Sequence, residues 1–226
     1  TSTITLTTAS ASFGFAGQTL TWYNVTKNIA STTSNIYGVN TFNNLTLTSP
    51  TVSAVTNLVL SENQTVNGTF AIGGGTSATQ RMGIVSRTIG TQCTIAAASV
   101  TGLSDVDFRD IAGAGAATWT GGTRIGDCGG NSGIGFDAPK TVYWNLAGTQ
   151  NWNATGWATT PTGTPAVNNF PLVQDTATFT DAGSAGTVTF SALSGVYNVG
   201  TIDASGRTSA LTLAGPTNVS VYGNIT

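Results

Sequence analysis

Apolar and polar residues alternate in short runs along this chain. "TSTITLTT" (1–8), "TLTWYNVT" (19–26), "FNNLTLT" (42–48), "TNLVLS" (56–61), "TVNGTFAI" (65–72), "MGIVS" (82–86), "CTIAAA" (93–98) and "LSDVDFRDI" (103–111) each set apolar side chains against Thr, Ser or Asn. A period of two is that of a strand with one buried face, so the pattern predicts an all-β protein of many short strands. The rhythm breaks over 141–180, where Trp144, Trp152 and Trp157 run into a Pro/Thr/Asn stretch that cannot be regular strand. The expected organisation is a strand-rich part at 1–140, a Trp/Pro/Asn-rich junction at 141–180, and resumed strand layers at 181–226.

One recurring hexapeptide bears on how the strands are arranged. "TVNGTF" (65–70) and "SVYGNI" (220–225) share the pattern Ser/Thr-Val-x-Gly-x-apolar. A sandwich closes its sheets and does not resume its own pattern near the last residue, whereas a β-solenoid adds layer upon layer. The expected fold is therefore an elongated β-solenoid, a right-handed parallel β-helix with a Trp-rich, non-repetitive interruption. Val66 should then stack near Val59 or Ile84. Gly68, Gly102, Gly195, Gly206 and Gly223 are expected at its corners, where the chain needs positive φ.

Composition narrows the chemistry. Thr (43), Gly (29) and Ser (19) dominate, and only 7% of the chain is charged. Such a profile disfavours helices and favours strands joined by tight turns. Histidine is absent, which removes His-based triads, bases and metal ligands. With seven scattered Lys and Arg and a net charge of −2, the chain lacks the basic footprint of a nucleic-acid binder. No apolar run approaches the roughly 20 residues of a helical membrane span, so no membrane insertion is expected. The glycine-rich stretches 72–77 and 121–133 lack GxxxxGK[ST], and no D-x-D-x-D-G loop occurs. No cofactor and no metal are expected.

What remains is carboxylate and aromatic chemistry. Alternation over 103–111 points Val106 and Phe108 inward and Asp105, Asp107 and Arg109 outward. Carboxylates at i and i+2 of a strand stand about 6.6–6.8 Å apart, inside the approximate 6.5–9.5 Å gap of inverting glycosidases. Asp105 and Asp107 are thus the catalytic candidates, and an exposed face solubilised by a local ion pair is the alternative. Trp144, Trp152 and Trp157 are candidates for stacking on a glycan, or else they fill the core of the junction. Cys93 and Cys128 could form one bridge or remain as two buried thiols. Flanking the Asp-rich strand on neighbouring layers, they are expected to be oxidised.

The stretches "DFRDIAGAGAATWTGGTRIGDCGGNSGIGF" (107–136), "PKTVYWNLAGTQNWNATGWATT" (139–160) and "VNNFPLVQDTATF" (167–179) resemble large repetitive β-helical structural proteins of tailed bacteriophages. In these, an Asp-rich strand, a Gly/Ala/Trp turn and a Gly-Asn-x-Gly closing turn precede a "VYW" segment. The resemblance covers roughly residues 65–226. It implies a non-enzymatic structural or adhesive element of a virion appendage or extracellular fibre, and it brings no catalytic residues. A β-helical polysaccharide depolymerase using Asp105 and Asp107, and a bacterial surface adhesin of passenger type, are the alternatives. Neither "TSTITLTT" nor "NVSVYGNIT" carries a charge or a proline, so both end layers look uncapped. Either the polypeptide is expected to continue beyond both ends, or the expected partners are further copies, as a homotrimer or stacked end to end, with neighbouring virion proteins and a cell-surface glycan as the other partners.

Overall fold

A computed structural model describes residues 2–7, 15–16, 20–29, 33–51, 53, 55–190, 196–215 and 218–226. Among these the chain is all-β, with two short 3-10 turns at Val167–Asn169 and Asp181–Gly183 and no α-helix. The first twelve strands are β1 (Thr3–Leu6), β2 (Phe15–Ala16), β3 (Leu20–Lys27), β4 (Ser34–Tyr37), β5 (Asn40–Leu47), β6 (Val55–Leu60), β7 (Gln64–Ile72), β8 (Arg81–Ser86), β9 (Cys93–Thr101), β10 (Val106–Arg109), β11 (Ile111–Gly115) and β12 (Gly126–Asp127). Odd-numbered strands form one six-stranded sheet and even-numbered strands another, both in chain order and parallel throughout.

Because the chain visits the two sheets in turn, like residues stack in columns. Val25 pairs with Leu45, Leu45 with Phe70 and Phe70 with Val100 in the first sheet. Ser34, Leu58, Ile84 and Phe108 form the facing column of the second. These inward positions make the core, and Phe42, Phe70, Phe108 and Trp119 are its large side chains. Val66 stacks on Phe42 and Ala97 and not on Val59 or Ile84, which lie in the other sheet, because one layer takes two strands and not one. A polar corner is built into the same core. Asn40 donates to Gln64 and to the carbonyls of Tyr37 and Gly38, Trp22 donates to Asn40, and Gln64 closes on Gly38 and Glu62. Each buried amide thereby finds partners, as a low-dielectric interior requires.

The remaining strands are β13 (Thr141–Trp144), β14 (Gly148–Asn151), β15 (Trp157–Ala158), β16 (Thr176–Thr178), β17 (Ala185–Thr189), β18 (Tyr197–Val199), β19 (Thr201–Asp203), β20 (Thr212–Ala214) and β21 (Val219–Val221). They form three small sheets, ordered β15-β13-β16-β19, β14-β17-β20 and β18-β21, parallel except for the antiparallel β13/β15 pair. Their core is separate from the first and gathers Trp144, Trp152, Trp157, Phe179 and Phe190. Residues 141–180 therefore do not stand between two portions of one stack. β13 pairs with β16 and β16 with β19, so this segment shares sheet and core with 181–226.

The two units meet on the outer face of the second sheet. Val55, at the start of β6, forms an antiparallel bridge with Val196, and Asn198 reaches Asp107 on β10. Val196 and β18 thus reach both β6 and β10. A glycine makes room at this junction. A Cβ on Gly126 would come within 2.0 Å of Asp107 Oδ1 and 3.1 Å of Val173 Cγ1. Of the expected corner glycines, Gly102 has positive φ (71°), whereas Gly68 and Gly223 do not; a Cβ at either would strike neighbouring chain within 2.7 Å. Gly206 also lacks positive φ, and Gly195 lies outside the described residues.

Candidate functional site

Asp105 and Asp107 are 0% and 1% exposed, contrary to the outward, solvated placement that strand alternation suggests. Alternation itself holds: Phe108 points to the first core and Asp107 away from it. The second unit covers the face onto which Asp107 points. There Arg81 donates through Nε (3.0 Å) and Nη2 (2.6 Å) to Asp107 Oδ1, while Asn198 Nδ2 donates to Oδ2 at 3.0 Å. Asp105 is held by a two-pronged contact from Arg124, Nε to Oδ1 at 2.6 Å and Nη2 to Oδ2 at 2.7 Å. Arg81 Nη1 lies 3.6 Å from Asp105 Oδ1, and Arg81 Nη2 also donates to the Arg124 carbonyl at 2.8 Å. Arg124 is held above its ordinary pKa chiefly by its hydrogen bond to Asp105. Asp105 and Arg124, with φ of 53° and 55°, both sit in the left-handed region that non-glycine residues seldom occupy, a local cost held in place by the ion pairs around them.

This geometry makes Asp105 and Asp107 the centre of an ion-pair weld built within the first unit and tied to the second by Asn198 through Asp107. All four of their carboxylate oxygens are engaged by Arg81, Arg124 or Asn198. A glycosidase pair needs a carboxyl that can reach the glycosidic oxygen and another that can reach water. Neither carboxylate here has that access.

The three tryptophans are equally enclosed. Trp144, Trp152 and Trp157 are at most 1% exposed. Trp157 stands edge-on to Trp144 and to Trp152, with centroids 4.9 and 4.8 Å apart, and Trp152 stacks on Phe190 at 4.9 Å. Trp144 and Trp157 direct their indole N–H groups to the Leu146 and Trp152 carbonyls. Their ring faces are covered by each other, so they pack the second core and offer no platform for a sugar.

Cys93 and Cys128 are both free and buried, so the expected bridge is not formed. They belong to different surroundings. Cys93 opens β9 in the first sheet, its Sγ 3.5 Å from Ser86 Oγ, whereas Cys128 follows β12 at the edge of the second sheet and meets Tyr222. Burial, and after it the charge of Asp107, push the Cys128 thiol well above its ordinary value, which keeps it a thiol and a poor nucleophile. Among the described residues no three Cys, Asp or Glu side chains converge as a metal site.

One open cleft lies where the units meet. It has a volume of about 570 Å³ and is lined in part by Arg109, Asp110, Cys128, Gly129, Ser220 and Tyr222. Asp110 Oδ2 accepts from the Gly90 N–H at 3.0 Å and lies 3.6 Å from Arg109 Nε. The Tyr222 hydroxyl meets the side chains of Arg109 and Cys128; burial first, and then Cys128, raise it to about 12, so it stays a neutral phenol. A second hollow of about 280 Å³ adjoins this one, sharing Cys128, Gly129 and Tyr222 and adding Asp127 and Gln174. Gln174 clips the units together, accepting from the Asp127 N–H and donating to the Ile125 and Asp137 carbonyls.

Arg81, Arg124, Gln174, Asn198 and Tyr222 were not singled out by the sequence reading. A signal for the covered face existed in β8: all six residues of "RMGIVS" are buried, and its near-continuous apolar run is the mark of a strand covered on both sides. Nothing in the sequence spacing would have joined Asn198 to Asp107. Comparisons with protein-family models, curated proteins and solved structures found no match.

Proposed function

We propose that this chain is a non-enzymatic structural element of an extracellular fibre, of the kind carried by tailed bacteriophages, built as a right-handed parallel β-solenoid in two units and joined to its neighbours through its end layers. Support for a coil comes from the regular alternation of strands between parallel sheets and from partners that recur at intervals of roughly 20–30 residues, the range of solenoid repeats. A sparsely charged, Thr-rich exterior, with Arg81, Asp105 and Asp107 withdrawn into the buried weld, suits a part that serves by length and stiffness.

The observation that carries the reading is the last layer. Leu213, Val221 and Ile225 stack in register on Val188, Val199 and Ile202. The lower members of these columns are 0%, 1% and 3% exposed, the upper ones 36%, 41% and 65%. A core column that surfaces at its final position offers apolar area and unpaired strand edge together, which is what an added layer would cover. At the opposite end Ile4, 38% exposed, stacks on buried Val25 in the same way. In this reading the layer is supplied by a second copy or another virion protein, and further chain beyond Thr226 would cover the same surface.

Sedimentation velocity over a concentration series tests this. The protein should associate as concentration rises, and the Leu213→Lys/Ile225→Lys variant should remain monomeric with an unchanged circular dichroism spectrum. A wild type that stays monomeric throughout, or a lysine variant that associates equally well, would overturn it.

A further inference from the structure

The cleft between the units has a lining that combines features that the weld and the cores do not. Its rim includes Ile89, which is 78% exposed, and Val221 at 41%. An isoleucine standing almost free in solvent beside an open hollow is an apolar surface without a partner. Below it lie Asp110 as acceptor, Arg109 as donor, and the Tyr222 and Ser220 hydroxyls, which can do either. The floor is kept low by Gly90 and Gly129, whose φ angles are 80° and 86° and where a Cβ would project into open space. Asp110 itself has φ 55°, an uncommon conformation held by its bond from Gly90.

We propose that this cleft binds a short neutral oligosaccharide, which would make the fibre element an adhesive one. A volume of about 570 Å³ falls within the roughly 300–1,000 Å³ of small-ligand sites, which favour junctions between domains. A sugar presents hydroxyls that both donate and accept, together with apolar C–H faces, and the lining matches both: paired Arg109 and Asp110 with the Tyr222 phenol for the hydroxyls, Ile89 and Val221 for the ring faces. Charge selects against acidic sugars, since the two adjoining hollows contain two carboxylates, Asp110 and Asp127, and one guanidinium, Arg109. The Tyr222 ring is shared by both hollows, so a chain of sugar units passing it could occupy each in turn. Every lining residue comes from one copy. Binding therefore survives if end-to-end stacking proves wrong; Val221 is common to both surfaces, so the variants that test binding are placed at Ile89 and Tyr222, which belong to none of the stacked end columns.

The test is a titration of the isotopically labelled protein, followed by amide chemical shifts, with neutral hexasaccharides of the α-glucan, β-glucan and galactan types and with oligogalacturonate as the acidic probe. We expect at least one neutral hexasaccharide to move the amides of Gly90, Arg109–Ile111, Gly129–Asn131 and Ser220–Gly223, with oligogalacturonate silent. Ile89→Ser, at an exposed position where folding is not at risk, should weaken binding roughly tenfold, the effect of losing one aliphatic contact. Tyr222→Phe, which keeps the ring and loses the hydroxyl, should weaken it to a similar or smaller extent. Shifts elsewhere on the surface, binding of the acidic probe alone, no binding of any neutral probe at millimolar concentration, or an Ile89→Ser variant that binds as well as the wild type would each overturn the proposal.

Discussion

Replacing Asp107 by leucine tests the weld directly. The substitution keeps the branched outline of the side chain beside Gly126 and removes its charge. Arg81, whose side chain is 4% exposed, then loses the carboxylate that accepts from it at 3.0 and 2.6 Å. Removing one partner of a buried ion pair costs about 3–5 kcal/mol, because the other charge is left without its counterion. Here Arg81 keeps the Arg124 carbonyl at 2.8 Å and the more distant Asp105 at 3.6 Å, which places the loss near the lower end, about 3 kcal/mol. Asn198 also loses its acceptor, but it is only half-buried and water can replace the bond at a cost under about 1 kcal/mol. Against a typical domain stability of about 5–15 kcal/mol this is a large fraction. Arg81→Met alone should cost a comparable amount by stranding Asp107, whereas the double variant carries no unpaired charge, since Arg124 still neutralises Asp105. It should recover all but about 1 kcal/mol, so the two single losses of about 3 kcal/mol each imply a coupling energy of about 5 kcal/mol. Urea unfolding followed by tryptophan fluorescence and circular dichroism measures each corner of the cycle, provided the two probes coincide and m is unchanged. A loss below about 1 kcal/mol for Asp107→Leu, or strictly additive single effects, would refute the reasoning.

Two further outcomes are expected. Without reductant, an alkylating reagent should leave Cys93 and Cys128 unmodified in the native protein and add two adducts per chain in denaturant; one bridge, seen as no adducts until reduction, would show that the thiols are not free. Asp181 accepts from the hydroxyl and N–H groups of Thr208 and Ser209, which hold its carboxyl well below the usual range. A depressed folded-state pKa contributes stability that is full above the unfolded carboxyl's value near 3.9 and is lost as pH falls through the folded value. The destabilisation caused by Asp181→Asn should accordingly be present at neutral pH and shrink progressively below about pH 4, and a difference that stays constant on acidification would contradict that linkage.

The alternation of Thr with Val, Leu and Phe made the strands of the first sheet legible, because one face of that sheet stays open: β7 is buried at Gln64, Val66, Phe70 and Ile72, with Thr65 and Asn67 exposed. The same reasoning misplaced Asp107, since a period of two says which residues share a face and nothing about what covers it. β10 has Val106, Asp107 and Phe108 all buried. The cover comes from residues about 90 positions later along the chain, Asn198 above all, and no local spacing encodes that meeting. Trp144, Trp152 and Trp157 were visible as a cluster but ambiguous in role. What decides it is that β13 and β15 pair and bring Trp144 and Trp157 onto Phe179, with Trp152 packed beside them on Phe190, contacts set by strand pairing and not by composition. The recurrence of Val-x-Gly at 66–68 and 221–223 was legible too, but its cause lay elsewhere than in turn geometry: at Gly68 and Gly223 the missing Cβ makes room for neighbouring chain.

The placement of charge in a chain so poor in it follows from what the junction must resist. Two flat sheet-bearing units pressed together by apolar contact alone could slide by one strand spacing, about 4.8 Å, with little change in buried area, because hydrophobic attraction has no direction. Hydrogen-bonded ions have direction. Arg81 holds Asp107 in place within the first unit, Asn198 meets that carboxylate from the other unit in one register, and Gln174 fits between Ile125, Asp127 and Asp137 in that register alone. A slip of one strand would leave the Arg81–Asp107 pair intact within the first unit, but it would take Asn198 from Asp107 and Gln174 from its partners, at about 1–3 kcal/mol for each buried polar group left unpaired. Tyr222 stands against Arg109 and Cys128 only while this register is kept. The weld that cannot catalyse is thus what holds the walls of the neighbouring cleft at a fixed separation, so weakening it through Asp107 should loosen the cleft without touching any residue that lines it.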